Sequence, residues 1–229
     1  MSLTLYIANK NYSSWSLRPW LLLRELGVPF TEVLLPFGDE AAWAPFRTSF
    51  PAGKVPALQD GALRVWDSFA IVEHVHERFG GAWPDDAEAR AWARSAAAEM
   101  HSGFATLRGQ CGMNLGIRVA LHELGPALRR DLARVDTLWC EGLSRFGGPL
   151  LAGARFSAVD AFFAPVAFRV LTYGLPLSAP AAAYAARLRE RPAMQEWYTA
   201  ALAEPWRDAE HDAENRASGT WTADLRARG

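Results

Sequence analysis

Apolar and polar positions alternate from Leu3 to Ile7, with Leu3, Leu5 and Ile7 on one face and Thr4 and Tyr6 on the other. That period of two predicts a half-buried strand. A helical pattern follows over about residues 16–26 and stops at Gly27, with Pro29 just beyond. Pro19 is tolerated inside it because the opening turns of a helix lack complete intrahelical bonding. Residues 31–35 return to a strand pattern, and residues 40–46 carry at best a short, irregular helix. Two further strand-like runs, residues 56–59 and 62–66, flank Asp60-Gly61, a dipeptide favoured in type I′ hairpins. Asp67 and Ser68 then cap a helix bearing Ile71, Val72, Val75 and Phe79, which ends at Gly80-Gly81. The order is βαβ, a loop, then ββα; the parallel first pair needs its helical crossover.

Trp83-Pro84-Asp85-Asp86 marks a boundary, after which every segment reads as helix: residues 87 to about 107, 118–146, 157–171, 181–190 and 193–203. Ser157 and Asp160 stand in the Ser-x-x-Asp spacing of a helix start close to a capping box. From about Trp206 the chain turns polar and is expected to be loosely held. The expected organisation is therefore a small α/β domain over residues 1–82, an all-helical domain over 87–205, and a polar tail over 206–229.

Composition narrows the function classes. The chain has 229 residues, half of them hydrophobic, and a formal net charge of −1 with its charges scattered. That balance argues against a nucleic-acid partner. No run reaches the roughly 18 apolar residues of a membrane span. The N-terminus lacks the pattern of a secretory signal, and Cys111 and Cys140 stand far apart without a CxxC, so a cytoplasmic setting is expected. His74 and His76 are two apart on a helix and point different ways, so no metal site is expected there. Both cysteines read as buried thiols.

Three loop features carry the candidate chemistry. Ser13, Ser14 and Ser16 cluster where the first helix begins. A helix start presents unpaired N–H groups and the positive end of the dipole, so it favours anions, and a serine there donates to a thiolate or caps the helix. Val55-Pro56 stands at the entrance to a hairpin strand, where proline belongs because it donates no ladder bond. A cis bond there would turn the Val55 N–H and C=O outward, open to an extended peptide. Asp67-Ser68 opens the next helix, where a hydroxyl and free N–H groups suit a carboxylate as well as an ordinary cap.

In their order along the chain, these features resemble the glutathione transferases: a thioredoxin-like domain of βαβ-ββα followed by an all-helical domain, over residues 3 to about 203. The resemblance implies that Val55-Pro56 pairs with the cysteinyl backbone of glutathione and that Asp67-Ser68 holds its γ-glutamyl end. It also implies that Lys54 meets the glycyl carboxylate. The run from Ser13 to Arg18 looks most like the zeta class, whose pattern is Ser-Ser-Cys-Ser-aromatic-Arg. By that match Ser13 activates the thiol, with Ser14 second. Trp15 stands where that class has cysteine, and the loop between Tyr6 and Ser13 is longer, which leaves Tyr6 and Tyr12 as alternatives. Arg169 lies near that class's substrate-binding arginine in a different register.

The expected activity is a serine-type glutathione transferase, using glutathione as co-substrate, no metal, and a small electrophile. The electrophile is expected against the first helix of the second domain, with Met100, His101, Phe104, Arg108 and Cys111 as candidates. A homodimer is expected from the resemblance; nucleic-acid and membrane partners are not expected, from the charge balance and the lack of a long apolar run. The alternatives are a glutathione-dependent isomerase of the maleylacetoacetate type, a dehalogenase or a peroxidase. From a different class, a non-catalytic glutathione-binding module is the rival, since fold does not fix function.

Overall fold

A computed structural model of the chain describes residues 3–226. The first half contains β1 (Leu3–Ile7), α1 (Ser14–Glu25), β2 (Phe30–Leu34), α2 (Glu40–Ser49), β3 (Ala57–Asp60), β4 (Leu63–Trp66) and α3 (Ser68–Phe79). Its sheet has the order β2-β1-β3-β4, with β1 parallel to β2 and the other pairs antiparallel. This is the thioredoxin-like βαβ-ββα arrangement. The alternation along β1 divides two layers. Leu3, Leu5 and Ile7 join Leu17 and Leu21 of α1 and Ile71, Val72 and Val75 of α3 in the main core. Tyr6, from the opposite face, packs against Phe46 and Phe50 beside α2.

The hairpin differs from its sequence reading by one residue. Asp60 pairs with Leu63 at the end of the ladder, so the loop is Gly61-Ala62. Gly61 takes φ 59° while Ala62 stays out of the positive-φ region, whereas a type I′ turn needs positive φ at both central positions. The shift leaves Asp60 in the strand with its carboxylate buried, where it meets His74 at 2.9 Å and Arg78.

The second half holds α4 (Ala87–Ser102), α5 (Ala105–Gln110), β5 (Ile117–Leu121), α6 (Pro126–Arg145), α7 (Ala158–Tyr173), α8 (Ala179–Arg189), α9 (Pro192–Ala203), α10 (Ala209–Ser218) and β6 (Gly219–Asp224). Helix α7 is its buried axis. The Asp160 carboxylate at its start accepts from the Leu151 amide, the Ser157 amide and hydroxyl, and the Tyr184 hydroxyl, at 2.9–3.3 Å. Burial still pushes that carboxyl up, against those four bonds.

Two helical expectations and the expected loose tail fail here. The helix expected to continue to about residue 107 breaks at Gly103, where an added Cβ would stand 2.8 Å from the Glu99 carbonyl oxygen. The next residue, Phe104, takes the left-handed conformation and α5 starts afresh. The helix expected from residue 118 begins instead at Pro126, a residue suited to a first helical turn. The polar stretch after Trp206, expected to be loosely held, folds as α10 and β6. Strand β6 pairs antiparallel with β5, about a hundred positions earlier in the chain.

That C-terminal segment fixes the loop ahead of α1. The Glu204 carboxylate accepts from the Lys10 amide at 2.6 Å and the Asn11 amide at 3.2 Å. Asn11 donates to Asn114 at 2.8 Å, and Asn114 donates to Asp212 at 3.0 Å and Asn215 at 2.9 Å. The Tyr12 hydroxyl donates to Asp212 at 3.0 Å and accepts from the Asp208 amide at 3.2 Å. A buried polar network that is satisfied in this way specifies one conformation.

Candidate functional site

The start of α1 sets the geometry. Ser13 is its N-cap; its hydroxyl accepts from the Ser16 amide at 3.4 Å and donates to the Ser16 Oγ at 2.7 Å. The Ser16 Oγ also accepts from the Ala8 amide at 3.2 Å, which ties the helix start to the end of β1. Ser14, the first helical residue, has a hydroxyl with no partner among the described residues. Both Ser13 and Ser14 line a cavity of about 840 Å3, together with Tyr12, Phe37, Trp43, Met113, Arg169, His211 and Glu214.

A second cavity of about 390 Å3 adjoins it and is lined by Pro56, Trp66, Asp67 and Ser68. Trp15, Lys54, Val55 and Arg108 belong to the walls of both. Each volume falls in the range of small-molecule sites. The two cavities thus bring together Ser13, Ser14, Lys54, Val55, Pro56, Asp67 and Ser68, which stand in three separate loops of the sequence.

Each loop arrives in a form suited to a ligand. The Val55-Pro56 bond is cis, and the Val55 N–H and C=O have no main-chain partner among the described residues. Asp67 has φ 71°, the left-handed region that a non-glycine residue enters at a cost of about 1–3 kcal/mol. Its carboxylate caps α3 through the Phe69 amide at 2.8 Å. Ser68 is 1% exposed, and its hydroxyl is buried with no hydrogen-bond partner among the described residues. An unsatisfied buried hydroxyl costs about 1–3 kcal/mol, so its position against a cavity points to a ligand atom.

Neither tyrosine alternative presents its hydroxyl to the cavities. The Tyr6 ring sits in the α2 layer, with its hydroxyl 3.4 Å from Gln59. Tyr12 lines the larger cavity, but its hydroxyl is occupied by Asp212 and the Asp208 amide. Burial pushes that phenol up.

Two guanidinium groups gather on Trp15, which belongs to both cavity walls. The Arg18 guanidinium lies 4.0 Å from the Trp15 ring centroid and 5.0 Å from that of Phe162, and Arg108 lies 4.7 Å from Trp15. Arg18 is buried, and its Nε and Nη1 have no partner among the described residues. Burial, with Arg169 and Arg108 nearby, holds this group well below its usual range, opposed by Asp67. Arg169 donates from Nε to the Cys111 carbonyl at 2.7 Å, leaves Nη1 unpartnered, and is pushed down to about 10 by burial. His101 stands 3.5 Å from Asp67, and burial lowers it further than Asp67 raises it.

Of the candidates placed on the first helix of the second domain, Arg108 alone reaches the cavities. Met100 and Cys111 are core residues, Phe104 is buried at the helix break, and His101 packs edge-on against Trp15. Arg108 is aimed by the break itself: its Nη1 donates to the His101 and Gly103 carbonyls at 3.2 Å, capping the end of α4. Phe37, Trp43, His211 and Glu214 went unrecognised from sequence. No local signal marks them, except that Asp208 and His211 have the spacing of a helix cap and the third residue after it.

Comparisons with known proteins bear on the family and the fold. The family profile described as glutathione S-transferase, N-terminal domain, matches residues 12–78. The glutathione S-transferase-like protein OpS6 of Beauveria bassiana is 31% identical over 209 residues, covering 83% of this chain and 92% of that one. Among solved structures, a glutathione transferase homolog from Burkholderia, with bound glutathione, aligns with TM-score 0.67 at 22% identity, over 89% of this chain and 100% of that one. Ure2p in complex with glutathione aligns with TM-score 0.64 at 22% identity, over 85% and 97%. By its nearly full-length likeness to the Beauveria protein, the chain belongs to the glutathione S-transferase family.

Proposed function

We propose that the chain is a serine-type glutathione transferase. Glutathione lies along the smaller cavity, and its sulfur reaches into the larger one to meet the Ser14 hydroxyl. The observation that carries this reading is the buried, unpartnered Ser68 hydroxyl at the start of α3, beside the open main chain of Val55. Together they offer an extended peptide a strand-like partner and a carboxylate a helix N-terminus. Lys54 supplies the cation for the glycyl carboxylate, and Asp67 the acceptor for the α-amino group.

Activation of the thiol needs little energy. A free thiol titrates near ~8.5, so about 3% is thiolate at pH 7. One hydrogen bond to a charged acceptor is worth about 1.5–3 kcal/mol, which lowers a thiol pKa by about 1–2 units when it favours the thiolate alone. Ser14 is the better donor because the Ser13 proton is directed at Ser16. The guanidinium groups of Arg18 and Arg108 around Trp15 act in the same direction. The thiolate then attacks an electrophile held in the larger cavity.

A glutathione-dependent isomerase shares this thiolate and differs in its second substrate; the Arg169 guanidinium in the larger cavity is the observation that favours it. Homodimerisation is supported by Leu63 and Trp66 on β4 and Phe79 at the end of α3, all exposed and apolar. A cytoplasmic setting fits the two free cysteines. Calorimetric titration with glutathione, followed by turnover of an aryl halide, tests the reading. Binding with turnover is expected; binding without turnover favours a non-catalytic module, and neither refutes both.

A further inference from the structure

The larger cavity contains a group that thiol activation does not use. His211 is the third residue of α10, whose cap is Asp208. The Asp208 carboxylate accepts from the His211 amide at 3.0 Å and pairs with its ring Nδ1 at 2.7 Å. A helix cap needs only the first of these bonds. The ring is also stacked on Phe37, with centroids 5.2 Å apart and planes 21° apart, and packs on Tyr12 at 5.2 Å. Phe37, Tyr12 and His211 line the same cavity as Ser14. The carboxylate fixes which ring nitrogen is committed, and the two aromatic rings fix the plane. The imidazole side chain remains 34% exposed, with Nε2 as its free nitrogen.

We propose that His211, oriented by Asp208, is a general acid for additions of the glutathione thiolate to α,β-unsaturated carbonyl compounds bound in the larger cavity. The proposal rests on the transferase reading above and adds a second catalytic residue, His211, to it. The sulfur lone pair forms a bond to the β-carbon, and the carbon–carbon π pair moves toward the carbonyl to give an enolate. The enolate takes the Nε2 proton of the imidazolium, and neutral His211 is reprotonated from solvent. A carboxylate on Nδ1 stabilises the imidazolium that donates and holds its orientation. Asp208 is suited to that work: burial would raise its carboxyl, but the His211 amide, ring and charge hold it below the usual range. Displacement of chloride from an aryl ring demands no such proton, so the two reactions separate the role of His211 from that of the thiolate.

The test compares kcat/KM for an α,β-unsaturated aldehyde and for chlorodinitrobenzene in the wild-type protein, His211→Gln and Asp208→Asn. General acids contribute about 10²–10⁴-fold, so His211→Gln is expected to lower the aldehyde-to-aryl-chloride ratio by about 10²-fold. It retains the Asp208 cap on the main chain. Asp208→Asn, which alters a positioning residue, is expected to lower the same ratio by about tenfold. An unchanged ratio in His211→Gln overturns the proposal, whether both activities fall together or neither falls. A wild-type protein active on the aryl chloride but not the aldehyde overturns it and leaves the transferase reading intact. Inactivity of the wild type on both sinks that reading and the proposal together.

Discussion

The Ser13 hydroxyl donates to the Ser16 Oγ at 2.7 Å, and the Ser16 amide returns a bond to Ser13 at 3.4 Å. This reciprocal pair closes the first turn of α1 and directs the Ser13 proton into the protein. Ser13→Ala removes the cap and is expected to cost about 1 kcal/mol of stability. Urea unfolding measures that cost. A stability loss below a few tenths of a kcal/mol would show that the hydroxyl is not the cap described here.

Ser68 gives the opposite signature. Its hydroxyl is buried and unpartnered, so Ser68→Ala removes an unsatisfied group and is expected to leave the unliganded protein as stable as the wild type or slightly more so. Glutathione affinity is expected to fall by about 10–100-fold, the worth of one charge-assisted bond of about 1.5–3 kcal/mol. Calorimetric titration beside thermal unfolding reads both quantities. Full affinity in the variant would remove Ser68 from the binding site.

Arg18 exchanges stability for charge. Its guanidinium is buried between Trp15 and Phe162 without a hydrogen bond at Nε or Nη1. Replacement of a poorly compensated buried charge by an apolar side chain of similar length often stabilises. Arg18→Met, whose thioether packs well on aromatic rings, is expected to raise stability by about 1 kcal/mol. The same change removes positive charge near the thiol and is expected to raise the pKa of bound glutathione. A less stable variant would mean that the ring stacking outweighs the desolvation.

The two cysteines differ in reactivity. Cys111 is fully buried, and burial pushes its thiol up to about 12, whereas Cys140 is half-buried. Alkylation of the native protein near pH 8 is expected to modify Cys140 and spare Cys111, with both reacting after denaturation. Between the ordinary thiol value of ~8.5 and about 12, the folded state keeps a proton that the unfolded state releases. The Cys111 contribution to stability therefore falls as pH rises across that window, by up to about 1.4 kcal/mol per pH unit. Rapid native alkylation of Cys111, identified by mass spectrometry, would contradict its placement.

The parts visible in sequence are those set by neighbours along the chain. Alternation at Leu3, Leu5 and Ile7, the stop at Gly27, the cap at Asp67 and the boundary at Trp83 to Asp86 are local, and each corresponds to an observed element boundary or face. The failures depend on distant residues. Ile117, Val119 and Leu121 alternate like a strand, but their partner β6 lies about a hundred positions later, and one short run cannot announce it. The polar stretch around Asp208 and Asp212 is ordered by Tyr12 and Asn114, far earlier in the chain. In the site, the loops at Ser13, Val55 and Asp67 carry turn and cap residues that stand out in sequence. His211 does not, and neither does the burial of Arg18, since both arise from tertiary packing.

Ser14 carries the central claim, because it lines the larger cavity and its hydroxyl has no partner among the described residues. The direct measurement is ultraviolet titration of the glutathione thiolate bound to the wild-type protein and to Ser14→Ala. The wild type is expected to ionise bound glutathione about 1–2 pH units below the free thiol, and Ser14→Ala to return most of that shift while still binding the tripeptide. An identical thiol pKa in both proteins, with glutathione bound in each, would contradict the account.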